Sequence, residues 1–205
     1  MSSAQTLLQV EGLNAWYGAA HILHGVSLSV GRGEVVALMG RNGAGKSTTL
    51  KAIAGLVERR DGKALFMGAD ISRKAPHQIA RLGLGYVPED RRIFTELTVL
   101  ENLEVGRQKA RHWPSGEALP MGQPYVVLLD EPSEGVAPLI VEQMAKTILQ
   151  LKAQGIGILL SEQNLPFAQV VADRAYVLEK GQIVHSGSMQ ELAGNAAVRQ
   201  QYLSV

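Results

Sequence analysis

Gly40-Arg41-Asn42-Gly43-Ala44-Gly45-Lys46-Ser47-Thr48 follows the pattern G-x-x-x-x-G-K-[ST]. A loop of this kind wraps backbone N–H groups around the phosphates of a nucleotide. Its glycines reach backbone angles closed to other residues. The amides then converge as an anion nest, and a helix starting directly after the loop adds its positive end. Lys46 is placed to reach the outer phosphates and Ser47 to offer its hydroxyl to Mg2+.

The flanks have the order this chemistry needs. Glu34 to Met39 is an apolar run of strand length that leads straight into the glycines. Thr49 to Ala54 reads as a helix, with Gly55 as its stop. Farther along, Val126-Val127-Leu128-Leu129-Asp130-Glu131 is a second apolar strand, ending in two carboxylates. In P-loop NTPases the first acid of such a strand holds Mg2+, directly or through water, which assigns Asp130 to the metal. Glu131 is one residue on and points elsewhere, because strand side chains alternate. It is free to face the terminal phosphate and polarise a water molecule.

The rest of the chain reads as one α/β domain over residues 1–205. Leu7 to Val10 and His21 to Val30 are expected strands, separated by a turn-rich Glu11 to Gly18. Lys63 to Met67 and Gly85 to Val87 are further strands, and Pro76 to Leu82 a short helix. Thr98 to Glu101 forms a capping box that opens a helix toward Val105, and Arg107 to Pro124 is irregular. Leu139 to Gln154 is the clearest helix, with Ile140, Met144, Ile148 and Leu151 on one face. Ile156 to Leu160 is a strand, and Ser188 to Glu191 a second capping box before a C-terminal helix. Strands alternating with helices imply a mostly parallel sheet behind a β-rich N-terminal portion.

Composition narrows the function class. The 205 residues are 46% hydrophobic and 19% charged, which is globular, and the net charge of +1 provides no field for nucleic acid. There are no cysteines, so disulfides and thiolate metal sites are excluded. The N-terminus shows no signal-peptide pattern, and no apolar run approaches a membrane span. His21, His24, His77, His112 and His185 lack zinc-ligand spacing. Trp16 and Trp113 have no charged groove to make them base-stacking platforms.

Taken together, the loop at Gly40 and Leu128-Leu129-Asp130-Glu131-Pro132 resemble the ATP-binding cassette (ABC) family of transport ATPases, and the likeness covers almost the whole chain. The resemblance implies an ABC-type P-loop NTPase fold and ATP with Mg2+ as cofactors. Tyr17 sits where that family stacks an aromatic on adenine; a Tyr packed on the β-rich portion is the other reading. Glu89, in Tyr86-Val87-Pro88-Glu89, takes the place of a glutamine that most relatives carry on the metal and the attacking water. Ser133 to Val136 lies at the D-loop. Gln163 stands where most relatives have the switch histidine; it exchanges no proton near neutral pH but still donates a hydrogen bond. The implied catalytic residues are Glu131, Gln163 and Lys46. The implied nucleotide contacts are Tyr17, Gly40, Arg41, Asn42, Gly43, Ala44, Gly45, Lys46, Ser47 and Thr48. The implied metal ligands are Ser47, Asp130 and Glu89.

Val87-Pro88-Glu89 with Arg91-Arg92, Glu131 to Val136, and Ser161-Glu162-Gln163-Asn164 are similar to one subgroup, the LivF-type ATPases of branched-chain amino acid importers. Urea and amide importers share much of this pattern. The implied partners are a second ABC ATPase subunit, membrane permease subunits and, indirectly, a periplasmic solute-binding protein. The implied location is the cytoplasmic face of the bacterial inner membrane.

One part of the family pattern is missing. No Leu-Ser-Gly-Gly-Gln signature loop precedes Tyr125, and residues 88–125 are too few for the helical subdomain that carries it. Lys109 to Met121 spans an apparent internal deletion. In the family each ATP site joins the P-loop of one subunit to the signature loop of the other. This chain is therefore expected to offer its own P-loop, Asp130 and Glu131 to a partner, but not to complete the partner's site. A nucleotide-binding protein deficient in hydrolysis is the competing reading. A P-loop kinase would need an acceptor site and an arginine-rich lid, and neither is evident.

Overall fold

The computed structural model describes residues 5–89 and 123–203. The expected helix at Thr98 to Val105 and the deletion span Lys109 to Met121 lie outside them.

The described residues build two sheets. The first is antiparallel, in the order β2 (Ala20–Gly31), β1 (Thr6–Tyr17), β4 (Arg59–Phe66), β5 (Ala69–Asp70). The second runs β10 (Gln182–Ser188), β9 (Arg174–Glu179), β3 (Val35–Met39), β8 (Gly157–Glu162), β7 (Val126–Asp130), β6 (Leu84–Val87). Its strands from β9 to β6 are parallel, and β10 closes one edge antiparallel to β9.

Period-two alternation on β3 explains the layering. All five of its residues are buried. Val36 and Leu38 face a core shared with Leu8 and Val10 of β1, Leu50 and Ile53 of helix α1 (Lys46–Ile53), and Val126 and Leu128 of β7. Val35 faces the opposite side, against Ala145 and Ile148 of α3 (Pro138–Ala153) and Phe167 and Val171 of α4 (Leu165–Val171). Ala37 and Met39 face that side too, against Met189 and Leu192 of α5 (Met189–Gly194). Helix α2 (Pro76–Leu82) spans the expected residues.

Three expectations are corrected. Glu11 to Tyr17 is not a turn but the second half of β1. A register shift between Glu11 and Asn14 interrupts the pairing with β4, and Gly12 takes φ +60°, so the polar, Gly-containing stretch is a bulge rather than a stop. Strand β8 runs past Leu160 through Ser161 and Glu162, both buried, where polarity suggested an end. On α3, Ile140 is 43% exposed in the first turn after Pro138; the buried face is Ala145 and Ile148, with Met144 and Leu151 packed partly against it.

Candidate nucleotide site

The carboxyl ends of β3, β7 and β8 meet at one rim, and register decides which side chains share it. Strand β7 pairs with β8 so that Asp130 lies opposite Ser161, and β8 pairs with β3 so that Glu162 lies opposite Met39. The residues just beyond, Glu131, Gln163 and the Gly40 loop, converge there.

Backbone sterics shape the loop. Gly45 takes φ +107°, and a Cβ there would lie 2.9 Å from Leu23 Cδ2. At Gly40 a Cβ would lie 2.4 Å from the Leu178 carbonyl oxygen. Gly45 is also the N-cap of α1, and no side chain caps that helix. The amides of its first turn lack an intrahelical acceptor and face the rim, which suits a phosphate. A cavity of about 470 Å3 opens over them, lined by Tyr17, Asn42, Ser47, Thr48, Glu89 and Glu131 among others. Ile22, Gly43, Gly45, Lys46 and Glu134 complete its wall. Tyr17 is 49% exposed at its edge.

The remaining loop residues stand behind this wall. The carbonyls of Gly40 and Arg41 accept hydrogen bonds from Lys46 Nζ at 2.9 and 3.1 Å. The Ala44 carbonyl accepts from Gly181 N, which ties the loop to the β9–β10 turn. The Arg41 guanidinium points to the Gln200 carbonyl, 3.5 Å away.

Lys46 and Glu131 form a buried ion pair, Nζ to Oε1 at 2.9 Å. Glu131 has φ +44°, uncommon outside glycine, and its N–H is held by both the carbonyl and the hydroxyl of Ser161. Burial raises the Glu131 carboxyl above its ordinary value; the neighbouring Glu134 carboxyl adds to the rise, and Lys46 opposes it. Gln163 donates from Nε2 toward Glu134 Oε2 at 3.1 Å and Glu131 Oε2 at 3.4 Å.

Asp130 lies beneath the rim, 2% exposed. Its Oδ1 accepts from Ser161 Oγ at 2.7 Å and its Oδ2 from Tyr86 OH at 3.0 Å. The carboxylates that gather are instead Glu89, Glu131 and Glu134, with oxygens within 4.8 Å of one another. With the Ser47 hydroxyl on the same cavity, the donors are all oxygen, the set a hard divalent cation takes.

Sequence reasoning missed Glu134, Tyr86, Ser161 and Glu162. The Glu162 carboxylate, 1% exposed, accepts from the backbone N–H of Ser133 at Oε1 and of Gln163 and Asn164 at Oε2. It staples the turns after β7 and β8 together. The only signal for it was an acid following an apolar strand.

Known proteins align with this chain over nearly its whole length. A family profile described as ABC transporter matches residues 23–120. The branched-chain amino acid transport ATP-binding protein BraG of Pseudomonas aeruginosa is 36% identical over 232 aligned positions, covering 96% of this chain and 99% of that protein. The lipopolysaccharide export ATP-binding protein LptB of Haemophilus influenzae is 32% identical, covering 97% of each. A solved ATP-binding subunit of an ABC transporter superposes with a TM-score of 0.76 at 29% identity, covering 96% of this chain and 93% of that one. Because 96% of 205 residues is about 197, about 35 of the 232 positions aligned with BraG face no residue of this chain. Architecture, loop and sequence agree, and the chain belongs to the ABC transporter family of ATPases, among its ATP-binding subunits.

Proposed function

We propose that this chain binds ATP with Mg2+ and hydrolyses it to power import of amino acids of the branched-chain type through membrane permease subunits. The observation that carries the ATPase reading is the convergence of Lys46, the uncapped first turn of α1 and Glu131 on one cavity. Lys46 and the amides of Asn42 to Thr48 would hold the phosphates, with Gly40, Arg41 and Ala44 shaping the loop behind them. The Tyr17 ring would lie against adenine. Ser47 and Glu89 would hold Mg2+, and Asp130, already committed to Ser161 and Tyr86, would reach it through water. When bound, the metal would neutralise charge on the phosphates. Glu131 orients the attacking water and accepts its proton, helped by the burial that raises its carboxyl. Gln163 steadies Glu131 from the side away from Lys46.

BraG supports the choice of solute, as do Val87-Pro88-Glu89 and Ser161 to Asn164. LptB at similar identity makes lipopolysaccharide export the contrast to test. Membrane vesicles carrying this chain with the permease subunits of a branched-chain importer should take up leucine only with ATP. Activity solely with lipopolysaccharide export subunits would overturn the assignment. The site of work follows from such partners: the cytoplasmic face of the inner membrane, with a periplasmic solute-binding protein acting at a distance. No helix among the described residues is long and apolar enough to cross a membrane.

A second reading, binding without hydrolysis, is favoured by the absent signature loop and the positions missing against BraG. Losing a single transition-state donor costs about 2.7–4 kcal/mol of barrier, and a whole loop more. A homodimer would then hold no complete site, whereas a partner with its own signature loop would complete one. Phosphate release by the purified chain, alone and with such a partner, separates the readings. Release equal to that of Glu131→Gln in both conditions establishes binding only.

A further inference from the structure

We propose that Glu134 is a positioning residue that fixes which end of the Gln163 carboxamide faces Glu131. The proposal rests on the reading of Glu131 as the group that orients water.

The geometry is a chain of three side chains. Glu131, Pro132, Ser133 and Glu134 form a turn closed by Glu134 N–H to the Glu131 carbonyl at 3.2 Å, with Gly135 at φ +65° ending it. The turn folds the Glu134 carboxylate back beside that of Glu131. From the neighbouring strand, Gln163 is held by its own N–H on Glu162 Oε2. Its Nε2 then lies between the two carboxylates, 3.1 Å from Glu134 and 3.4 Å from Glu131.

A carboxamide has two ends of nearly equal size and opposite polarity, and its neighbours choose between them. One carboxylate at 3.4 Å is a weak instruction. Glu134, closer, adds a second acceptor on the same side. A reversed amide would set Oε1 against two carboxylates. Glu134 therefore keeps a donor on Glu131 Oε2 while Lys46 holds Oε1 at 2.9 Å. The carboxylate is thus gripped at both oxygens, and catalysis depends on such fixed placement. Without Glu134 the amide is free to turn, and Glu131 loses its grip on one side.

Two measurements test this. The first does not depend on hydrolysis: the side-chain amide resonances of Gln163 in a 1H–15N spectrum, assigned by their loss in Gln163→Ala. Glu134→Ala should move them to the position of a solvated glutamine, while Glu134→Gln, which keeps an acceptor oxygen, should leave them near the wild-type position. Unmoved resonances in Glu134→Ala would overturn the proposal. The second is steady-state phosphate release with a signature-bearing partner. Glu134→Ala and Gln163→Ala should each lower kcat about tenfold with KM unchanged, and the double variant should be no slower than either. A hundredfold loss in the double variant would show that the two act independently, and would also overturn it. If the wild-type protein releases no phosphate, the hydrolytic reading fails, and the amide resonances still decide the clamp.

Discussion

The Lys46 ammonium lies 2.9 Å from Oε1 of Glu131, and both side chains are almost wholly buried. The pair joins the ammonium at the start of α1 to the carboxylate just past the end of β7. Lys46 also spends two donors on the Gly40 and Arg41 carbonyls, so its ammonium is saturated by protein groups. A phosphate that approaches Lys46 competes with Glu131 for it.

The first prediction follows from that competition. Glu131→Gln removes the competing charge and should tighten MgATP binding about tenfold, a gain of about 1.4 kcal/mol, while abolishing phosphate release. Lys46→Ala should eliminate binding and leave a buried carboxylate without its partner. Titration calorimetry on both variants checks the sign: weaker binding by Glu131→Gln would mean that Glu131 assists the phosphates rather than rivals them.

Stability should depend on pH through Glu131. Its carboxyl is raised in the folded protein, first by burial and then by Glu134, so folding favours its protonated form. Its contribution is fully present below the ordinary carboxylate value of 4.5 and is lost as pH rises through the raised value. Urea unfolding from pH 4.5 upward should show the wild type losing stability relative to Glu131→Gln across that window. A constant difference between the two would refute the linkage.

Glu162 should matter more to folding than to binding. Its buried carboxylate satisfies the backbone N–H groups of Ser133, Gln163 and Asn164, the first of them buried as well. Glu162→Ala leaves them without an acceptor and should cost roughly 2–3 kcal/mol. The cost will appear in the midpoint of chemical denaturation. By contrast, Ser188→Ala, which removes the N-cap of α5, should cost about 1 kcal/mol.

Tyr17 distinguishes stacking from packing. The ring is half exposed at the cavity edge, which leaves a face for a base. Tyr17→Ala should weaken ATP by about 0.5–1.5 kcal/mol and leave inorganic tripolyphosphate binding unchanged. An equal loss for both ligands would assign the ring to shaping the cavity.

Much of this molecule is legible in its sequence. The phosphate loop announces itself because its demands are local: glycines where a Cβ collides or φ turns positive, then a lysine and a hydroxyl on the first turn of a helix. The apolar runs of β3, β7 and most of β8 were equally plain, since strands buried on both faces carry no polar interruption. The capping box at Ser188 was read correctly for the same reason, as its partners lie within four residues. Reading failed where polarity and burial part company. Ser161 and Glu162 look like the end of a strand, yet they continue it, because Asp130, Glu131 and Ser133 across the sheet supply their hydrogen bonds.

What the chain alone determined, then, was the glycine loop with its lysine, the acid pair at Asp130 and Glu131, and an α/β sheet to carry them. Each depends on residues close in sequence. Only the tertiary structure decided that Asp130 lies beneath the rim while Glu89, Glu131 and Glu134 gather above it, and that Gln163 stands between two of them. The register of β7 against β8 sets those distances, and register is a property of two strands far apart in the chain.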